Sequence, residues 1–206
     1  MKESLLRLEK IEKSYGKTKV LGPIDLEIRK GEIIGIKGKN GAGKSTLLKI
    51  MAGVLKESVG KVIIDHNLII GYVPQDIALY PELTGKQNLR FFADLENIPQ
   101  KSAKRRIDWL LERLMLSDAA NKKLSQYSGG MKRRLNLAAA LIKTPQLILL
   151  DEPTVGADAE SAEIILKLIK DLAAAGSAVV LIDHYEEELN SAANRLITIH
   201  DGKISE

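Results

Sequence analysis

Gly38-Lys39-Asn40-Gly41-Ala42-Gly43-Lys44-Ser45-Thr46 decides how this chain is read. The residues fit G-x-x-x-x-G-K-[ST] in full. Ahead of them Ile33-Ile34-Gly35-Ile36 reads as a buried strand, and behind them Leu47-Leu48-Lys49-Ile50-Met51 has the pattern of a helix. In that context the backbone N–H groups of a glycine loop can wrap a phosphate chain, with the positive end of the helix dipole behind it. Lys44 then reaches the β- and γ-phosphates, and the Ser45 hydroxyl is a ligand for Mg²⁺. An accidental glycine-rich turn with a lysine would need neither flank. The stretch predicts nucleoside triphosphate binding through Gly38, Asn40, Gly41, Gly43, Lys44, Ser45 and Thr46.

Upstream, residues 5–11 and 24–29 alternate apolar and polar, as half-buried antiparallel strands do, with Ser14-Tyr15-Gly16 as a turn between them. Downstream, Lys61–Asp65 and Ile69–Val73 read as strands, the second ending at Pro74-Gln75. Residues 76–127 have a different texture. Thr84-x-x-Gln87 is a capping-box pattern that opens a helix through about Leu95. After Pro99 a second helix runs over Ala103–Met115, with Ile107, Leu110, Leu111 and Leu114 on one face. From Ser128 the α/β texture returns: a helix to about Ile142, the wholly apolar strand Leu147–Leu150, a helix over Asp158–Ala174, the strand Ala178–Ile182, a short helix over Tyr185–Ala192 and a strand over Arg195–Ile199. The expectation is an α/β fold with a mostly parallel sheet, an antiparallel β part and an inserted helical subdomain. Residues 1–75 and 128–206 form the core of one domain, and residues 76–127 the insertion.

Leu147-Ile148-Leu149-Leu150 delivers two acids, Asp151 and Glu152, at the strand end where ligands of open α/β sheets sit. In phosphoryl transfer one acid belongs on Mg²⁺ and another orients and deprotonates the attacking water. Asp151 suits the first task and Glu152 the second. An acidic pair after a strand is common, and it persuades here because the phosphate loop accompanies it. Ser128-Gly129-Gly130, 90 residues after Gly38, is a second glycine-rich helix start, followed by Lys132, Arg133 and Arg134.

With these parts in this order, the chain resembles the nucleotide-binding domain of ATP-binding cassette (ABC) proteins over about residues 5–204. Tyr127-Ser128-Gly129-Gly130-Met131 resembles the family signature LSGGQ. The resemblance implies an ATPase with ATP and Mg²⁺. In it Tyr15 stacks on adenine, Gln75 touches Mg²⁺ and senses the helical subdomain, and Ser45 and Asp151 hold the ion. Asp158, in Gly156-Ala157-Asp158, belongs to a loop crossing to a second subunit, and His184 contacts the γ-phosphate. The expected catalytic set is Glu152, His184, Lys44 and Gln75. Ser128, Gly129 and Gly130 contact the nucleotide of the partner. Tyr127 and Met131 depart from Leu and Gln, in a variant that resembles bacterial exporter ATPases. Asp183 stands where Ser or Thr is usual, and Ala159 where proline is. The chain ends soon after its last expected strand, so no C-terminal regulatory extension is expected.

Bulk properties set outer bounds. The 206 residues are 45% hydrophobic and 28% charged, with net charge +4 and no cysteine. Disulfides and thiolate metal sites are excluded. The N-terminus carries charge too early for a signal peptide, and no apolar stretch approaches bilayer length. The expected partners are a second nucleotide-binding subunit, a homodimer before a heterodimer, and separate integral membrane subunits. Those would dock near Gln75–Phe92, with Leu79, Tyr80, Phe91 and Phe92 as apolar candidates, and the location would be the cytoplasmic membrane face. The competing reading is an ABC protein acting on nucleic acid or ribosomes, through Lys101, Lys104, Arg105, Arg106 and Lys122-Lys123. It lacks the long coiled-coil insertion and the second cassette of such relatives, so nucleic acid is not the expected partner.

Overall fold

The computed structural model describes residues 3–183 and 186–205. The apolar runs that carry no polar alternation become the centre of one sheet, because only strands covered on both faces can bury every side chain. That sheet has six strands in the order β5 (Ile70–Val73), β6 (Leu147–Asp151), β7 (Ala178–Ile182), β3 (Ile33–Lys37), β8 (Arg195–His200) and β9 (Lys203–Ser205). All neighbours pair in parallel except the terminal β8–β9 hairpin. Side chains of the central strands alternate between two cores. Ile34, Ile36, Leu147, Leu149, Val180 and Ile182 pack with helix α1 (Lys44–Met51). Ile33, Ile148, Leu150, Val179 and Leu181 pack on the opposite face with α4 (Gly129–Ala140) and α5 (Ala159–Ala174). Fully burying one such side chain stabilises the fold by about 1.5–3 kcal/mol.

β1 (Ser4–Tyr15), β2 (Thr18–Arg29) and β4 (Val59–Ile64) form a second, antiparallel sheet in the order β2-β1-β4. The strands are longer than the alternation in residues 5–11 and 24–29 suggests. Register shifts after Leu8 and Ile11, with Lys10 at φ 48°, break the alternation without ending the ladder. The turn consequently narrows to Gly16-Lys17, and Tyr15 closes β1.

Between β5 and α4 the chain forms α2 (Gly85–Leu95) and α3 (Gln100–Arg113). The Thr84–Gln87 capping box is present as spelled: Gln87 N–H donates to Thr84 Oγ1 at 3.1 Å, and Thr84 N–H to Gln87 Oε1 at 2.9 Å. Helices α3 and α4 cap one another. Arg106 donates twice to the Leu141 carbonyl, at 3.2 and 2.7 Å, and Arg134 donates to the Leu114 carbonyl at 2.9 Å. Each arginine thus satisfies an orphan C-terminal carbonyl of the other helix. A short helix, α6 (Glu186–Ala192), precedes β8. The antiparallel β9 is an element the sequence reading does not contain.

Candidate active site

The phosphate loop joins β3 to α1 and takes a shape that side chains would block. Gly38 and Gly43 have φ of 150° and 101°. A Cβ on Gly38 would collide with the Ile199 carbonyl oxygen, and one on Gly43 would lie 2.5 Å from Leu21 Cδ2. Lys44 is buried, and its ammonium donates to the Gly38 carbonyl at 2.7 Å and the Lys39 carbonyl at 3.1 Å. The lysine therefore curls over the loop, with the charge held at the place where phosphates would lie.

Across from it, β6 ends on Asp151, and the next residue turns sharply. Glu152 has φ 53°, and its N–H donates to the Ile182 carbonyl at 2.9 Å, which ties the turn to the end of β7. Both acids are buried. Ser45 Oγ donates to Asp151 Oδ1 at 3.1 Å, and Gln75 Nε2 donates to Glu152 Oε2 at 2.7 Å. Burial pushes the Asp151 carboxyl above its ordinary range. The Ser45 hydroxyl opposes that rise, Glu152 adds to it, and Lys49 and Lys44 oppose it. A cleft of about 310 Å³ collects Val20, Asn40, Gly41, Gly43, Lys44, Ser45, Thr46, Gln75 and Glu152. Val20 is a lining residue that sequence reasoning missed, a half-buried apolar position near the start of β2 with no motif to mark it.

The donor set fits Mg²⁺. A hydroxyl and a desolvated carboxylate offer hard oxygens, and Gln75, whose amide nitrogen is engaged by Glu152, keeps an amide oxygen as acceptor. No group of three or more His, Cys, Asp or Glu residues suited to a metal occurs among the described residues.

The remaining sequence-predicted residues lie elsewhere. Ser128 and Gly129 are exposed at the start of α4, where Ser128 Oγ accepts from Met131 N–H at 3.2 Å. None of Ser128, Gly129, Gly130 or Asp158 lines the cleft. Asp158 caps α5, accepting from Ser161 N–H at 2.8 Å. Gly130 packs so tightly on Ser161 that no Cβ fits. Tyr15 is 53% exposed, with Lys13 Nζ 5.2 Å from its ring centroid. His184 lies outside the described residues. The basic cluster is thinner than the sequence suggests. Arg106 is committed to Leu141 and lies 4.5 Å from the Trp109 ring centroid, and Lys123 pairs with Glu82 at 3.2 Å.

The sequence profile of the ABC transporter family matches residues 21–155, from β2 through the phosphate loop and signature to the acidic strand. The chain belongs to the ABC transporter family. This ABC chain is 38% identical over 210 residues to the linearmycin resistance ATP-binding protein of Bacillus subtilis, covering 97% of this chain and 68% of that protein. It is 36% identical to a daunorubicin resistance ATP-binding protein of Streptomyces coeruleorubidus, covering 99% and 68%. Its fold superposes on a dimeric ATP-binding cassette in a post-hydrolysis state bound to ADP and Pi, with TM-score 0.88, 30% identity and coverage of 98% and 97%. An ATP binding subunit of an ABC transporter gives TM-score 0.89 at 25% identity, covering 98% and 88%.

Two further groups escaped the sequence reading. Arg133 donates from Nε to the Val155 carbonyl at 2.9 Å and from Nη1 to the Gln75 carbonyl. Beside Glu152, the buried Thr154 hydroxyl donates to the buried Asp183 Oδ2 at 2.6 Å. Burial and Asp183 push the nearby Glu188 carboxyl up, with the Thr154 hydroxyl opposing. Neither group carries a motif, since each joins residues distant in sequence.

Proposed function

We propose that this chain is the ATP-hydrolysing subunit of an ABC exporter, working as one domain with a helical subdomain over residues 76–127. Two copies would enclose two ATP molecules and drive separate membrane-spanning subunits from the cytoplasmic face. One observation carries the reading: Lys44, Ser45, Gln75 and Glu152 share a cleft while the second glycine-rich helix start faces outward from another part of the surface. A second copy would complete such a site by bringing its own helix N-terminus, an anion-binding end, to the phosphate donors of the first. The names of the drug-resistance relatives support export. No helix among the described residues is long and apolar enough to cross a membrane, so the reading needs a membrane partner. Leu79, Tyr80, Phe91 and Phe92 remain the proposed docking residues. Tyr80 is 47% exposed and stacks edge-on against Phe91, which stacks on Phe92.

In the proposed mechanism Lys44 leaves the Gly38 and Lys39 carbonyls to bind the β- and γ-phosphates. Ser45 and Asp151, with the Gln75 amide oxygen, would hold Mg²⁺, whose charge would offset that of the phosphates. Glu152 accepts the proton of the attacking water, oriented by Gln75. His184 contacts the γ-phosphate, Tyr15 stacks on adenine, and Ser128, Gly129, Gly130 and Asp158 act on the partner's nucleotide.

Complementation tests the composite site. Lys44→Ala disables the phosphate loop. Gly129→Asp places a carboxylate at an exposed helix start, against the γ-phosphate. A Cβ there meets only the Gly156 carbonyl oxygen, at 3.0 Å, so the position takes a side chain once the exposed Gly156 turn gives by a few tenths of an ångström. Each homodimer contains only broken sites, whereas a mixed dimer contains one intact site. Mixing the two inactive proteins should restore ATPase activity below half the parent rate. A mixture that forms ATP-dependent dimers and remains inactive would overturn the reading in which one intact site suffices.

A further inference from the structure

The helix that starts at the signature also grips the catalytic loops from behind. Just over one turn into α4, Arg133 donates from Nε to the Val155 carbonyl at 2.9 Å and from Nη1 to the carbonyl of Gln75 itself. Val155 follows Glu152 by three residues, on the loop leading to Asp158. Three positions further along α4, and so on the same helix face, lies Asn136. Its amide accepts from Ala78 N–H at 3.2 Å and its nitrogen approaches the Pro74 carbonyl at 3.5 Å. The Pro74–Ala78 segment is thus held at both ends by one face of α4. Arg133 adds the second loop. A guanidinium has donors in a rigid fork, so two of them aimed at carbonyls of different loops fix the separation of those loops. That separation also governs the 2.7 Å hydrogen bond from Gln75 Nε2 to Glu152 Oε2.

We infer that Arg133 is a positioning residue: it ties the signature helix to the loops of Gln75 and Glu152 and sets the geometry in which Glu152 meets water. The inference rests on the proposed roles of Gln75 and Glu152. Its consequence is that a shift of the signature helix moves both loops together. Charge-assisted hydrogen bonds to two backbone carbonyls also make the link stiffer than apolar packing would.

The test is steady-state ATPase kinetics with thermal melting and equilibrium ATP binding for Arg133→Met, Arg133→Lys, Gln75→Ala and the double variant Arg133→Met/Gln75→Ala. Misplacement of a reacting group by about 1 Å can cost on the order of a hundredfold. Arg133→Met should lower kcat by roughly ten- to hundredfold, with ATP KM and binding within about twofold of the parent. Arg133→Lys keeps the charge but not the fork that reaches both carbonyls, so it should recover only part of the loss. Because Arg133 acts through Gln75, Arg133→Met should lower kcat little further when Gln75 is already alanine. Losses that multiply in the double variant would overturn the inference, as would an Arg133→Met variant with parental kcat. An Arg133→Met variant that loses ATP binding or fold together with activity would overturn it too, by showing a general structural role. If Gln75→Ala alone leaves kcat unchanged, the assigned role of Gln75 fails, and the inference routed through it fails with it. A Gln75→Ala variant that loses activity beside a neutral Arg133→Met sinks the inference alone.

Discussion

Replacing Glu152 by Gln separates basicity from shape. Glu152 is 6% exposed, at φ 53°, with Oε2 accepting from Gln75 Nε2 at 2.7 Å. Glutamine has the same length and backbone preference, and its side-chain oxygen still accepts from Gln75, so the turn after β6 is retained. What disappears is the ability to take a proton from water. General-base catalysis is worth about 10²–10⁴-fold, or roughly 3–5 kcal/mol of barrier, and kcat should fall by that range. Affinity for ATP should hold or rise, because a carboxylate facing the triphosphate has been neutralised. The expected state is a long-lived ATP-bound dimer, seen by size-exclusion chromatography with light scattering. Phosphate release under saturating ATP measures the rate. Glu152→Ala serves as the companion: it loses the base and also frees Gln75, so it should be no faster than Glu152→Gln. Turnover within tenfold of the parent would assign the base to another group. Loss of ATP binding would mean that Glu152 maintains the loop and is not the base.

Two other outcomes follow from single side chains. Tyr15, half exposed with Lys13 beside its ring, should lose about 1–3 kcal/mol of ATP binding on Tyr15→Ala, or roughly 5- to 150-fold, while Tyr15→Phe binds as the parent does; equal losses in both variants would refute stacking. Glu188 has a folded pKa raised by burial, then by Asp183, so the native state binds the extra proton and stability falls as pH climbs from the ordinary glutamate value towards the raised one. Glu188→Gln removes that loss, so its melting temperature should exceed the parent's at about pH 8 and by less at about pH 5; a pH-independent difference would refute the assignment.

The parts of this fold that were legible in the sequence are those encoded by neighbours in the chain. The glycine loop, the Thr84–Gln87 capping box and the apolar strands β6 and β7 each draw their shape from adjacent residues and burial. Sheet order is different. Ile33–Lys37, Leu147–Asp151 and Ala178–Ile182 are interchangeable as apolar runs, and nothing in them states that β3 lies between β7 and β8. Lys203-Ile204-Ser205 carries one apolar residue and becomes β9 only because β8 offers it an open edge. The Gln75–Glu152 and Ser45–Asp151 hydrogen bonds were implied by roles but not by spacing, since they join residues 77 and 106 positions apart.

The run Lys132-Arg133-Arg134 shows why the rest was hidden. Read along the chain it is one basic stretch behind a signature, and nothing in it assigns a member to phosphate or to solvent. On a helix successive residues point about 100° apart, so the three cannot share a surrounding. Arg134 is 9% exposed and turns into the α3–α4 interface to cap Leu114, and Arg133 turns to the loops of Gln75 and Val155. Both bind backbone carbonyls, and a carbonyl leaves no trace in the identity of the residue that presents it. A sequence can therefore spell the residues that meet the nucleotide while staying silent on those that hold them in place. In this chain that silence covers Arg133, which joins the loops of Gln75 and Val155 to the helix that starts at Ser128.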